Sequence, residues 1–343
     1  MTDDWFPAWE EAAGALGLSL MNLGGPARLQ GSIEGVELSC RVRQNYEAGT
    51  ARNSTSTVAE ATPPAMPPKL RLSIARGYIY PLGRPFFQDI RTGDEAFDDR
   101  FIVKGSNEEL VRLWLSPRAR EHIGAAEDWS FSLRPGQAIA ELDRAESSRA
   151  VLVSALHGLA ALAGRGLALG NELDRLAGGI GGRREPGGWD GELGRPIELD
   201  AEGTRCTVEH RHGRFGNRWR APSALYTRVA CPRAEGATRG FLLARRRFSA
   251  AFGGAGRMVV LPDEWLQQKY VARAEDADHL RAQLTPAVRT LVSRTLPDAV
   301  VVTDEVSVWS LGLTLHAPGL SAMVEVAAAL AQEALAVGSG PYR

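Results

Sequence analysis

Phe97-Asp-Asp-Arg-Phe-Ile-Val103 and Leu266-Gln-Gln-Lys-Tyr-Val-Ala272 are the two stretches that decide the fold, because one lies over the other at a constant offset of 169 positions. The match carries on without a gap. Arg112 falls on Arg281, Leu115-Ser116-Pro117 on Leu284-Thr285-Pro286, Arg120 on Arg289 and Ile123 on Val292. After one-residue slips, Asp128-Trp-Ser-Phe lies over Asp298-Ala-Val-Val and Leu152-Val153 over Met323-Val324. A gapless run of this length reads as an internal duplication. The shared Ser/Thr-Pro step has a physical meaning: the hydroxyl caps a helix whose first position tolerates proline. Each copy is expected to start a helix at Pro117 or Pro286.

Working outward, an apolar stripe over Trp5 to Leu18 predicts a helix, followed by strands at Val36–Val42, Leu70–Tyr80 and Arg100–Lys104. The Ser/Thr/Ala/Pro-rich stretch Asn45–Pro68 reads as a loop. Asn107 caps a helix towards Leu115, Arg134-Pro135-Gly136-Gln137 turns a hairpin, and a helix closes the copy from about Ser147 to Gly164. Copy two repeats this order. Its strands fall near Cys206–His212, Ala224–Cys231, Gly240–Phe248, Arg257–Leu261 and Lys269–Arg273. A helix from about Asp278 to Arg294, strands at Ala299–Thr303 and Val306–Thr314, and a last helix striped by Leu320, Met323, Ala327, Leu330 and Ala334 complete it. The expected fold is α+β: tandem small antiparallel sheets backed by helices, spanning 1–165 and 196–343. A glycine-rich connector with a short helix at Asn171–Leu176 occupies 166–195.

The order α-β-β-β-α-β-β-α resembles, in topology alone, that of bacterial secretion-chaperone modules. The resemblance implies a binding scaffold for partner proteins, and a fused pair implies an internal pseudo-dimer; fold by itself does not imply function.

Composition narrows the rest. The net charge of −1 over 343 residues predicts no global attraction to nucleic acid or acidic membranes. Three cysteines (Cys40, Cys206, Cys231) are too few for a disulfide framework, which points to a reducing, cytoplasmic setting. The N-terminus lacks signal-peptide character, and the apolar run Val151–Leu169, interrupted by Ser154, His157 and Arg165, reads as a buried helix rather than a membrane span.

The glycine clusters at 164–166, 178–182 and 253–256 lack the spacing of a phosphate loop and read as turns or linker. Cys206, His210 and His212 share one strand face, with Cys231 within reach of a neighbouring strand. Their spacing fits no zinc finger or ribbon, and no metal is assigned. The acidic stretch Asp89, Asp94, Glu95, Asp98, Asp99 lacks calcium-loop spacing and reads as a solvated loop. His122, His157, His279 and His316 have no nucleophile or carboxylate partner in sequence, so no catalytic residue and no cofactor are assigned.

The most unusual feature is arginine. Residues 201–260 hold twelve arginines against three glutamates, a local charge of +9, with Phe215, Trp219 and Tyr226 interleaved. Guanidinium groups fork onto carboxylates and phosphates, and interleaved aromatics suit stacking. The candidate binding residues are Arg211, Arg214, Arg218, Trp219, Arg220, Arg245, Arg246 and Arg247. The expected function is a non-catalytic, partner-binding adaptor or chaperone-like component of a bacterial multiprotein system. The alternatives are a nucleic-acid binder using the same arginines and a hydrolase whose site assembles only in space.

Overall fold

A computed structural model describes residues 5–21, 27–46, 53–77, 90–185, 195–216, 223–233, 240–252 and 256–338. The chain divides into two compact units, Met1–Leu169 and Gly170–Arg343.

The first unit runs α1 (Phe6–Leu16), β1 (Ser19–Met21), β2 (Arg28–Ile33), β3 (Val36–Tyr46), β4 (Asn53–Ala61), β5 (Leu72–Arg76), α2 (Glu95–Asp98), β6 (Phe101–Gly105), α3 (Glu108–Trp114), α4 (Pro117–Ala125), β7 (Ser130–Arg134), β8 (Gln137–Leu142) and the start of α5 (Arg149–Gly179). Its strands form one antiparallel sheet in the order β1-β2-β3-β4-β8-β7-β5-β6. The second unit holds β9 (Arg183–Arg184), β10 (Ile197–Ala201), β11 (Thr204–Arg214), β12 (Ser223–Pro232), β13 (Phe241–Arg245), a 3-10 turn (Arg246–Phe248) and β14 (Arg257–Val259). There follow α6 (Glu264–Lys269), β15 (Tyr270–Ala274), α7 (Ala277–Gln283), α8 (Pro286–Thr295), β16 (Ala299–Val302), β17 (Glu305–Leu311) and α9 (Ala317–Gly338). Its sheet order, β9-β10-β11-β12-β17-β16-β13-β15-β14, is the first order repeated strand for strand with β14 added.

The duplication extends to side chains. Ser116 Oγ accepts from Ala119 N at 3.2 Å, and Thr285 Oγ1 from Val288 N at 3.3 Å, so both Pro-started helices carry the expected cap. Asn107 caps α3 as Asp276 caps α7. Arg120 pairs with Asp94 at 3.1 Å, and Arg289 with Asp263 at 2.7 Å. Arg76 pairs with Asp128 at 3.1 Å, and Arg245 with Asp298 at 3.5 Å. Even the extra strand has a trace in copy one, where Ile90 N donates to Val103 O at 2.8 Å, the positions equivalent to Val259 and Ala272 of the β14–β15 pair. The acidic stretch is thereby accounted for. Asp94 caps α2, and its carboxyl is held below the usual range first by the Phe97 N–H and then by Arg120. Asp98 accepts from Thr92 at 2.8 Å, and Asp89 lies outside the described residues.

The expected α+β class of two antiparallel sheets with helices is what the chain forms, with eight and nine strands among the described residues. Three expectations need correction. Asn45–Pro68 is not a loop throughout: Asn53–Ala61 is β4, an interior strand between β3 and β8. Its threonines are β-branched and suit a pleated sheet. The buried Thr57 hydroxyl donates to Arg144 O (2.8 Å) and accepts from Glu146 N (3.0 Å), which removes the cost of burying it. The helix expected from Asp278 to Arg294 breaks at Gln283, where the Thr-Pro step starts α8.

The helix expected to close near Gly164 runs on to Gly179, absorbing the short helix expected at Asn171–Leu176. Gly164 and Gly166 mark close packing rather than flexibility. A Cβ on Gly166 would sit 1.9 Å from Ala65 O, and one on Gly164 2.9 Å from Val36. This helix is long and apolar enough by composition to cross a membrane, but Leu152, Leu156, Leu159 and Leu162 are buried in the first unit, and Leu173 and Leu176 in the core of the second.

In the second unit α9 lies over β10, β11, β12 and β17. Its stripe Leu320, Met323, Ala327 and Leu330 is buried against Val208, Val229, Val306 and Val308; the Ala334 side chain lies outside the described residues. Tyr270 is buried where copy one has Phe101, its hydroxyl donating to Pro297 O at 2.9 Å; burial pushes its pKa up to about 12. At the end of α7, Gln283 is fully buried with no hydrogen-bond partner for its amide among the described residues. Copy one has Trp114 there, donating to Leu162 O at 2.9 Å. An unsatisfied buried amide costs about 1–3 kcal/mol. Gln283→Met is therefore expected to stabilise the second unit by about 1 kcal/mol, read as a raised midpoint in urea; an unchanged or lowered midpoint contradicts this.

Candidate binding face of the second unit

The pleat sorts β11, β12 and β17 into two faces. Towards the helices point Cys206, Val208 and His210, opposite Cys231, Val229 and Thr227, with Val306 and Val308 beyond them. The other face carries two cross-strand rows: Arg211, Tyr226 and Leu311 in one, and Glu209, Arg228 and Trp309 in the other.

The two cysteines are joined. Cys206 and Cys231 stand directly across β11 and β12, Cα atoms 4.4 Å apart, as a disulfide. Three cysteines are too few for a disulfide framework, yet one bridge forms. His210 Nε2–H donates to Thr314 O at 3.1 Å. No set of three or more metal-ligating side chains converges among the described residues. Cys40 is not the counterpart of Cys206: register puts it at the position of Val208, and the bridge corresponds to Leu38 and Ala61. Cys40 is a buried free thiol whose pKa burial raises.

Burial lowers the pKa of His210 from its ordinary 6.5, with the nearby charge of Arg184 adding to this. The folded unit therefore holds a neutral imidazole. As pH falls below about 6.5 the unfolded chain binds the proton first, so stability is full above that pH and is lost towards the lower folded pKa. Urea midpoints measured from pH 7.5 to 5 are expected to fall for the wild type, with a shallower slope for His210→Gln. Parallel slopes refute the assignment.

On the outer face, charge and aromatic rings interlock. Glu209 accepts from Arg211 at 2.8 Å and from Arg228 at 2.9 Å, and Arg228 also pairs with Glu305. Burial alone would depress the Arg228 pKa, but its bonds and charges from Glu209 and Glu305 outweigh that and raise it. The guanidinium lies 5.4 Å over the Trp309 ring, a cation–π contact. Beside it Phe215, Tyr226, Phe248, Phe252 and Trp309 form a second small core, with Phe215 and Trp309 centroids 6.2 Å apart and Tyr226 and Trp309 5.0 Å. Burial raises the Tyr226 pKa.

The sequence candidates divide accordingly. Arg211 belongs to this ladder. Arg214, at the exposed end of β11, has no partner among the described residues. Arg218, Trp219 and Arg220 lie outside the described residues. Arg245 pairs with Asp298; Arg246 donates to the carbonyls of Gln267 (2.8 Å) and Gln268 (3.2 Å). Arg247 pairs with Asp298 at 3.2 Å and stacks 4.5 Å over Phe248. Arg228, Trp309 and Glu305 were not among the candidates. The alternation of Val306 and Val308 already put Trp309 on the outer face, whereas nothing in sequence pairs Glu305 with Arg228.

In the first unit the same face is different in kind. Register places Val58 at the position of Arg228, Ser56 at that of Tyr226 and Glu141 at that of Trp309. A shallow polar depression of about 620 Å³ lies there, lined by Arg28, Glu37, Glu60, Arg134 and Gln137 among others.

No protein-family model and no curated protein matches the chain. Among solved structures it is similar to the crystal structure of the mycobacterial trehalose monomycolate transport factor A, TtfA. That likeness covers 46% of this chain and 91% of that one, at 11% identity and a TM-score of 0.31.

Proposed function

We propose that the chain is a non-catalytic partner-binding protein, an adaptor- or chaperone-like component of a bacterial-type multiprotein system, and that the outer face of the second sheet contributes to binding. One observation carries this reading. The copies keep the same topology, caps and ion pairs, yet differ on the outer sheet face, which is serine- and carboxylate-bearing in one and aromatic and arginine-bearing in the other. A duplicated scaffold that retains its core and varies one face is what a pair of binding platforms requires; aromatic and arginine side chains are the usual anchors of protein interfaces.

The test is co-purification of the tagged chain from its host, with mass spectrometry and an absorbance ratio for nucleic acid. A stoichiometric protein partner, lost in Arg211→Glu/Leu311→Asp while the thermal melt is kept, supports the reading; no partner with the wild type sinks it. Nucleic-acid binding remains the rival because Arg214 and Arg257 are unpaired among the described residues. Its signature is affinity for single-stranded DNA that falls steeply between low and moderate salt. A cytoplasmic location belongs to the same proposal. Recovery of the chain in the cytoplasmic fraction of host cells would support it, and recovery in an extracytoplasmic fraction would overturn it.

A further inference from the structure

The nine-stranded sheet ends in β14, whose ladder neighbour is β15. A terminal strand offers an outer row of N–H and C=O groups to any extended chain, and folded proteins usually blunt such an edge with charge, proline or a cover. β14 is thinly protected. Met258 is 74% exposed and Val260 63%, the two most exposed of the large apolar side chains described. Around them, among the described residues, two arginines lack a counter-charge. Arg257, on β14, and Arg273, directly across from Met258 on β15, have no ion-pair or hydrogen-bond partner among the described residues. This sets them apart from Arg205, Arg228, Arg245 and Arg247, which pair with Glu198, Glu209 and Asp298.

We infer that β14 is the docking edge for an extended segment of a partner protein, which joins the sheet as an added antiparallel strand with apolar and acidic residues in alternation. The alternation follows from the pleat. Met258 and Val260 fall on one face, with Arg273 one strand further in on that same face, and Arg257 falls on the other; a strand laid alongside β14 therefore presents apolar residues to Met258 and Val260 and carboxylates to Arg257. Main-chain hydrogen bonds supply affinity in such pairing and alternate side chains supply selectivity.

This inference rests on the partner-binding reading, and its test separates the two. The probe is a fluorescein-labelled Glu-Val-Glu-Val-Glu-Val peptide, titrated against the full chain by anisotropy. Wild type is expected to bind it. Affinity should fall at least tenfold when alternate backbone nitrogens are methylated on the edge-facing side, when lysine replaces glutamate, and in Met258→Pro. Should Met258→Pro not fold, Val260→Asp, just beyond the strand, is expected to weaken binding likewise. No binding by wild type, or equal binding of the methylated peptide, overturns the inference. A host partner captured equally by wild type and Met258→Pro overturns the edge but leaves the partner-binding reading standing. Self-association of wild type, lost in Met258→Pro by sedimentation, would make the occupant a second copy of this chain and also overturn the inference as stated.

Discussion

Reducing the Cys206–Cys231 bridge, or replacing both residues by alanine, is expected to cost the second unit about 3 kcal/mol. The bridge closes a loop with a sequence separation of 25. A cross-link of that span removes conformational freedom from the unfolded chain, and the loop-entropy relation gives about that figure. The bridge joins residues that β-pairing already holds opposite one another, so little native rearrangement should offset it. Both side chains are fully buried, so reductant reaches them only through opening of the sheet. The measurement is therefore urea unfolding with and without reductant after equilibration in denaturant. The midpoint should fall and the m-value rise, because an unlinked chain exposes more surface. Copy one supplies a control. There the same cross-strand position is filled by Leu38 and Ala61, so Cys206→Leu/Cys231→Ala should be less destabilising than the double alanine variant. An unchanged midpoint on reduction would show that the two sulfurs are not bonded in the protein.

The fold was largely legible because its strongest signal, the repeat around Phe101 and Tyr270, is local in sequence. Caps and proline steps act within four residues, so Ser116-Pro117 and Thr285-Pro286 could be read directly. What escaped needed a third dimension. β4 was hidden because serine and threonine read as loop residues until Thr57 has a buried partner in Glu146 N. The glycines of α5 looked like a linker because closeness to Ala65 and Val36 has no sequence signature. The arginine-rich window was legible as charge, but its meaning was not. Besides Glu209, the carboxylates that answer it, Glu198, Asp298 and Glu305, lie outside residues 201–260 and are brought to it by the folded sheet. The sum of charges within a window measures potential interaction; the pairing across strands decides how much of it is already spent.

Asp298 is where that distinction is open to measurement, and Asp298→Ala is expected to destabilise the second unit by about 3 kcal/mol. Its carboxylate side chain is 7% exposed, and it holds together elements far apart in sequence. Oδ2 accepts from Leu311 N at 2.8 Å, at the end of β17, and Oδ1 faces Arg247 at 3.2 Å and Arg245 at 3.5 Å. Removing it leaves the partly buried Arg245 guanidinium without its counter-charge and strips Leu311 N of its acceptor. Asp298→Asn keeps an acceptor for Leu311 N and should cost about half as much. The first unit calibrates the effect. Asp128 makes the equivalent pair with Arg76 but is 30% exposed, so solvent screening should hold Asp128→Ala to about 1 kcal/mol. The comparison also separates scaffold from binding surface among the three consecutive arginines. Arg245→Ala should lose stability as Asp298→Ala does, because both copies retain this pair. Arg247, 62% exposed, can be truncated at little cost, so any loss of partner capture in Arg247→Ala reports on binding alone. Equal midpoints for wild type and Asp298→Ala would mean that the carboxylate is not the anchor of this corner, and Arg245 would then return to the list of binding candidates.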